Sequence, residues 1–267
     1  MNILEEIAKK TRERVAAAKE TTPISVLREA AEAKLARNND LRGGFAFAKA
    51  LRAPGMSFIC EVKKASPSKG IIARDFPWLS IAREYEAAGA AAISCLTEPY
   101  WFLGSDRYLE EIAAAVSIPV LRKDFTVDEY MIYEAKVLGA SAVLLICSIL
   151  EDGQLRDFLQ LAAALQMDAL VEAHTEAELS RAVAAGAKII GVNNRNLADF
   201  TVDIENSRRL RSLAPANVLF VSESGIKTPG DIAALYENGT DAVLIGETLM
   251  RAADKKAMLQ YLAGKCL

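Results

Sequence analysis

The sequence predicts an α/β fold, a (β/α)8 TIM barrel carrying an N-terminal helical extension. Three observations carry that prediction. Eight short apolar runs begin near Ser57, Ala91, Ile118, Ser141, Asp168, Lys188, Asn217 and Asp241. They recur about every 26 residues, room for a ~5-residue strand, a ~11-residue helix and two short loops. Between them lie segments with helical periodicity, such as Ile81–Ala88, Asp128–Leu138, Glu176–Ala185 and Pro229–Tyr236. Finally, a glycine precedes every second run, in Gly89-Ala90, Gly139-Ala140, Gly186-Ala187 and Gly239-Thr240. Each suits the end of a helix, where a left-handed residue costs glycine little. The repeat is therefore two βα units long, and a doubly wound sheet offers no reason for a fourfold period.

Residues 1–50 have a different character. Ile3, Leu4, Ile7 and Val15 fall at helical spacing among charges, Pro23 opens a second helical pattern, and Gly43-Gly44 breaks before Phe45-Ala46-Phe47-Ala48-Lys49. Two or three amphipathic helices are expected here, docked on a barrel spanning 51–267 as one structural unit. The near-continuous apolar character of the later runs fits parallel strands buried on both faces.

Composition excludes much else. The 267 residues are 52% hydrophobic and 25% charged, with 32 Lys+Arg against 35 Asp+Glu and a formal net charge of −3. No basic footprint for nucleic acid exists. The uncharged stretch from Val137 to Leu150 falls short of the ~20 residues a membrane helix needs, and acids at Glu5 and Glu6 spoil a signal peptide. A cytoplasmic chain is expected, without a membrane or nucleic-acid partner. Cys60, Cys95, Cys147 and Cys266 form no Cys-x-x-Cys pair, so no disulfide framework is expected. The single histidine, His174, rules out a His-based zinc cluster and weakens any Ser-His-Asp triad; it reads as a hydrogen-bonding rim residue.

In such a barrel the chemistry gathers at the C-terminal ends of the strands. The first run ends Cys60-Glu61-Val62-Lys63-Lys64, the third Leu121-Arg122-Lys123-Asp124-Phe125, and the fifth Val171-Glu172-Ala173-His174. The sixth ends Val192-Asn193-Asn194-Arg195, the seventh Ser222-Glu223-Ser224-Gly225, the eighth Ile245-Gly246-Glu247. Residues two apart on a strand share a face. Val62 suits packing against helices, which turns Glu61 and Lys63 inward. An ion pair that merely seals the barrel is one reading of these two. Lys123 and Glu172 at equivalent heights favour a working site, because four converging charges carry a desolvation cost that a structural plug would avoid. A lysine acid tuned from ~10.4 towards 8 would cost roughly 3 kcal/mol.

Glycines after the seventh and eighth runs open helical patterns, an arrangement suited to a phosphate group. Ser66, Gly225, Gly246 and Glu247 are the expected phosphate-binding positions. Ser66-Pro67-Ser68-Lys69-Gly70 lacks the spacing of a nucleotide P-loop, and no Gly-x-Gly-x-x-Gly follows a strand. Phe102, Phe125 and Leu197 offer a wall for a planar, partly apolar substrate, or pack under loops.

Phe58-Ile59-Cys60-Glu61-Val62-Lys63-Lys64-Ala65-Ser66-Pro67-Ser68-Lys69-Gly70 resembles the first-strand signature of the indole-3-glycerol phosphate synthases of tryptophan biosynthesis. Leu121–Phe125, Leu170–Glu172, Gly191–Leu197, Ser222–Ile226 and Ile245–Met250 resemble the family's later motifs in order. The resemblance spans the chain and implies a monofunctional carboxy-lyase. Its reaction is ring closure of 1-(2-carboxyphenylamino)-1-deoxyribulose 5-phosphate with loss of CO₂ and water. It implies Lys123 as the acid on the ketone oxygen, with Glu172, Lys63 and Glu61 sharing the remaining proton transfers. Glu172 is assigned to dehydration, Lys63 to the substrate carboxylate, and Glu61 to orienting Lys63. Asn193, Arg195 and Ser224 are expected on the substrate's polar groups, and Phe102, Phe125 and Leu197 around the anthranilate ring. No metal or organic cofactor is expected, and the partner is a phosphorylated small molecule taken by a monomer or weak homodimer. Two other readings stay open from the residues: a Schiff-base aldolase using Lys63 or Lys123, and a phosphosugar-binding sensor.

Overall fold

The computed structural model describes residues 3–36, 43–196 and 200–264. Eight parallel strands close into a barrel: β1 (Ser57–Val62), β2 (Ala92–Leu96), β3 (Val120–Lys123), β4 (Ala142–Ile146), β5 (Asp168–Ala173), β6 (Ile189–Asn193), β7 (Leu219–Glu223) and β8 (Ala242–Ile245). Each strand pairs with its neighbours in sequence, and β1 closes the ring on β8 through the Ser57↔Ala242 to Cys60↔Ile245 register. All eight begin within two residues of the expected starts. The recurrent glycines explain themselves: Gly89, Gly139, Gly186 and Gly239 all follow helices with φ between 83° and 96°, a region other residues enter at a cost.

Strand parity divides the core in two. Ile59, Ala92, Leu121, Ala142, Leu144, Leu170, Ile189, Val221 and Leu244 fill the barrel interior. Phe58, Cys60, Val62, Val143, Val171, Ala173 and Phe220 pack outward against the helices. The one large exception outside is Arg122, fully buried in the helical layer. Its guanidinium donates to Asp106 and Glu134 carboxylates, each at 2.7 Å, and to the Met131 carbonyl at 3.0 Å. Those bonds fix the strand end next to Lys123.

Three helices precede the barrel: α1 (Ile3–Thr21), α2 (Ile24–Ala36) and α3 (Ala46–Leu51). The last plugs the floor, burying Phe47 and Leu51 in the interior cluster. The Ala48 N–H donates to Asp168 Oδ2 at 2.8 Å, at the start of β5. At the opposite end α1 lies across the rim, with Leu4 and Ile7 reaching the interior cluster. Arg14 ties it down through a 2.8 Å pair with buried Asp124, and Lys19 through a 2.7 Å pair with Asp128. Alongside, α2 places Leu27 and Ala31 in the outer core, and Lys34 Nζ donates to the Val137 carbonyl at 2.9 Å.

The helices between strands are α4 (Trp78–Ala87), α5 (Asp106–Ala115), α6 (Glu129–Leu138), α7 (Asp152–Ala164), α8 (Glu176–Ala184), α9 (Glu205–Arg211) and α10 (Pro229–Glu237). Two more, α11 (Glu247–Arg251) and α12 (Lys255–Ala263), follow β8. Side-chain caps start several of them: Ser105 on α5, Asp128 on α6, Thr175 on α8, and a Thr228–Asp231 capping box ahead of Pro229 on α10. Among the described residues no helix is long and apolar enough to cross a membrane.

Candidate active site

Strand parity carries the inner-facing series upward into charge. On β1, Ile59 is followed by Glu61; on β3, Leu121 by Lys123; on β5, Leu170 by Glu172; on β7, Val221 by Glu223. These groups floor a cavity of about 510 Å³ at the C-terminal ends of the strands. Every site residue expected from the sequence lines it except Leu197, which lies outside the described residues.

Two ion-pair systems meet there. Lys63 Nζ stands 2.6 Å from Glu61 Oε1, and Ser94 Oγ donates to Glu61 Oε2 at 3.3 Å. Lys123 Nζ stands 3.4 Å from Glu172 Oε2 and 3.2 Å from Glu223 Oε2. Asn193 Nδ2 donates to Glu172 Oε1 at 3.4 Å, while Asn193 Oδ1 accepts the Arg195 N–H at 3.0 Å. The Arg195 guanidinium itself donates to the Phe200 carbonyl at 3.2 Å. On one wall the Phe102 and Phe125 rings lie 6.2 Å apart at a 43° tilt. Ser66 sits buried in a short hairpin formed by Ala65–Ser66 and Gly70–Ile71.

The family model described as indole-3-glycerol phosphate synthase matches residues 4–262. The chain belongs to the indole-3-glycerol phosphate synthase family. A synthase of that name from Ruminiclostridium cellulolyticum is 53% identical over 262 residues, covering 98% of this chain and 99% of that one. Another from Lacticaseibacillus casei is 59% identical over 209 residues, covering 78% and 80%. Solved barrels share the fold alone. The 3-hexulose-6-phosphate synthase from Salmonella typhimurium superposes with a TM-score of 0.64 at 13% identity, covering 78% of this chain and 97% of that one. The chain is thus a carboxy-lyase of tryptophan biosynthesis, as its strand-end motifs implied.

Charge in this synthase site is shared unevenly between its lysines and carboxylates. Tuning a lysine acid toward neutrality would need its ammonium destabilised, but Lys123 goes the other way. Burial works to lower its pKa, yet Glu223, Glu172 and Glu61 outweigh it and hold the ammonium charged well above its ordinary range. Burial likewise opposes ionisation of Glu61, but Lys63 and Lys123 keep its carboxyl below the usual value. Glu223 is the group that gives way: burial, with Glu172 and Glu61 nearby, pushes it up to about 7 despite Lys123. Its Oε1 is buried without a hydrogen-bond partner, poised to carry a proton.

Glu223 was not singled out from the sequence as a site residue. A signal was present in Gly191, a glycine inside a strand, because a Cβ there would overlap Glu223 Oε1. The α1 residues Ile3, Leu4 and Ile7 also line the cavity, as do Lys69, Lys227 and Arg251. Two phosphate positions carry further constraints. The Glu247 carboxylate pairs with Arg251 Nε at 3.0 Å, leaving its backbone N–H as the group suited to an anion. Gly246 has an ordinary φ of −114°, but a Cβ there would lie 2.5 Å from Glu61 Oε1 and 2.8 Å from Lys63 Nζ. It makes room for an ion pair.

Proposed function

We propose the following division of labour for ring closure, decarboxylation and dehydration of 1-(2-carboxyphenylamino)-1-deoxyribulose 5-phosphate. Lys123 donates its proton to the ketone oxygen as the ring carbon bearing the carboxylate attacks the ketone carbon. The new C–C bond leaves a hydroxyl where the ketone was. CO₂ then departs, its bonding electrons restoring the aromatic ring. Loss of water follows: Glu172 takes the proton from carbon, and an acid protonates the leaving hydroxyl. Lys63 holds the substrate carboxylate, and Glu61 orients Lys63.

The observation that carries this reading is the position of Lys123, an ammonium between two carboxylates facing the cavity. A charge held in a largely buried, preorganised site favours a transition state in which oxygen becomes anionic. Glu223 fits as the group that restores or tunes the Lys123 proton. Ser66 and the backbone around Gly225, Gly246 and Glu247 are read as the phosphate cradle, aided by Lys69 and Lys227. Asn193, Arg195 and Ser224 would take the remaining polar groups, and Phe102 with Phe125 the anthranilate ring. The aniline nitrogen activates the ring itself, so the steps call for no organic cofactor.

We also read the working unit as one chain, monomeric or weakly dimeric, in the cytoplasm and without nucleic acid or membrane. Cys60, Cys95 and Cys147 are buried free thiols, which suits a reducing compartment.

The test mixes purified protein with the carboxyphenylamino-deoxyribulose phosphate and follows indole fluorescence. Lys123→Ala should lower kcat by at least about 10³-fold while substrate still binds. Turnover near the wild-type rate would remove Lys123 as the acid. Glu172→Gln should stall after ring closure, and an unaltered rate would remove Glu172 from the dehydration.

A further inference from the structure

We propose that His174 is a positioning residue for Glu172, an imidazole that holds and returns the proton Glu172 exchanges with substrate. The inference rests on the reading of Glu172 as the dehydration base and goes beyond it. His174 stands directly after β5 and does not line the cavity. Its side chain is 16% exposed, with Nε2 3.4 Å from Glu172 Oε1 and Nδ1 3.5 Å from Glu178 Oε2. The contacts connect Glu172 to His174 and His174 to Glu178, from the cavity floor to the start of α8.

Glu178 is itself fixed. Its Oε2 accepts the His174 backbone N–H at 2.6 Å, and its own N–H donates to Thr175 Oγ1 at 3.2 Å. A proton on Nδ1 therefore faces a carboxylate that cannot swing away. That leaves Nε2, which is buried and has no hydrogen-bond partner. A neutral ring would direct that lone pair at the Glu172 carboxylate, two acceptors facing each other without a proton between them. The conflict is removed when Glu172 takes up a proton, because that proton is then shared between Oε1 and Nε2.

The chemistry follows from that shared proton. When the substrate C–H bond breaks, its electron pair stays in the forming double bond and its proton bonds to Glu172. The Nε2 lone pair then takes the proton, and the O–H electrons return to the carboxylate. Glu172 is restored as a base, and the reverse transfer makes it an acid. Lys123 brackets the other oxygen, Oε2, at 3.4 Å, so each oxygen of Glu172 faces its own donor.

The charged groups around the ring are Glu172 on β5, Glu178 on α8 and Glu223 on β7, with Lys123 on β3 beyond Glu172. From α9 comes only the neutral Asn206, whose Nδ2 donates to the His174 carbonyl at 3.1 Å. Burial disfavours the imidazolium, but the carboxylates prevail and raise the His174 pKa above its usual value.

The sequence contains one histidine, so ¹⁵N-histidine labelling gives a single imidazole to follow. In wild type it should titrate above ~6.5. Glu172→Gln and Glu178→Gln should each lower the midpoint by about half a unit or more. His174→Gln should lower kcat about tenfold with KM changed less than about twofold, and remove the near-neutral limb contributed by the pair. His174→Asn serves if the glutamine variant does not fold. A midpoint unmoved by Glu172→Gln, or a pH profile of His174→Gln superimposable on wild type, would overturn the proposal. Undiminished turnover in Glu172→Gln would instead overturn the reading of Glu172 on which it rests.

Discussion

Glu223, at the end of β7, reaches across the barrel to within 3.2 Å of the Lys123 ammonium at the end of β3. The pair is buried, and the carboxyl is pushed up to about 7, chiefly by burial. That has a thermodynamic signature. The folded state binds this proton more tightly than the unfolded chain, whose glutamate titrates near 4.3. As pH rises, the unfolded state therefore releases its proton first, and stability falls between roughly pH 4.5 and 7. The full effect is about 3–4 kcal/mol. Urea unfolding of wild type and Glu223→Gln at pH 5 and pH 7.5 should show wild type losing more stability across the interval. Equal losses would mean that Glu223 does not titrate there.

Gly246→Ala should damage the site without touching backbone preference. The glycine's φ is ordinary, and the obstacle is the Glu61–Lys63 pair at 2.5 and 2.8 Å from the added carbon. Displacing that pair should lower kcat/KM by about 10- to 100-fold, with an overpacking cost of about 1–3 kcal/mol. Kinetics with intact substrate together with a melting curve would check both. An unchanged kcat/KM would mean that the pair can shift freely and does not need its present geometry.

The barrel was legible because its signals are local and repeated. Eight apolar runs, the helical patterns between them and a left-handed glycine after every second helix need no long-range knowledge. Parity turns Glu61 and Lys63 inward, and Lys123 and Glu172 stand at equivalent heights on other strands. Glu223 escaped because its importance comes from Lys123 on a strand a hundred residues earlier. Its neighbour in the site, Gly191, reads locally as a weak strand residue. The direction of the Lys123 shift was illegible for the same reason: it follows from three carboxylates contributed by three other strands. The use of α1 as a wall was hidden too, since an amphipathic helix announces a buried face and never its partner.

Gly225→Ala addresses the phosphate end. Gly225 has φ +85°, and a Cβ there would come 2.5 Å from Val202 Cγ1. Backbone strain and contact both oppose the substitution, so the turn after β7 must move. Inorganic phosphate should then inhibit about tenfold more weakly, with KM raised to a similar degree. The comparison is the phosphate inhibition constant in wild type and variant at fixed ionic strength. An unchanged constant would relocate the phosphate site away from this turn.

Arg14→Ala tests whether α1 belongs to the active site or only to the fold. Arg14 is the charged tether between that helix and Asp124, whose side chain is fully buried just beyond Lys123. Asp124 keeps other partners, accepting from Thr97 Oγ1 at 2.6 Å and the Phe125 N–H at 2.8 Å. The loss should therefore stay at about 1–3 kcal/mol, lowering Tm by several degrees. Leu4 and Ile7 form part of the cavity wall, so loosening α1 should also open one side of the substrate pocket. KM should rise about three- to tenfold while kcat changes less than about threefold, because no proton-transferring group has moved. Arg14→Lys, which restores a cation without the planar fork, should recover part of both effects. A fall in Tm with KM unchanged would make α1 a structural brace whose contact with the cavity plays no part in holding substrate.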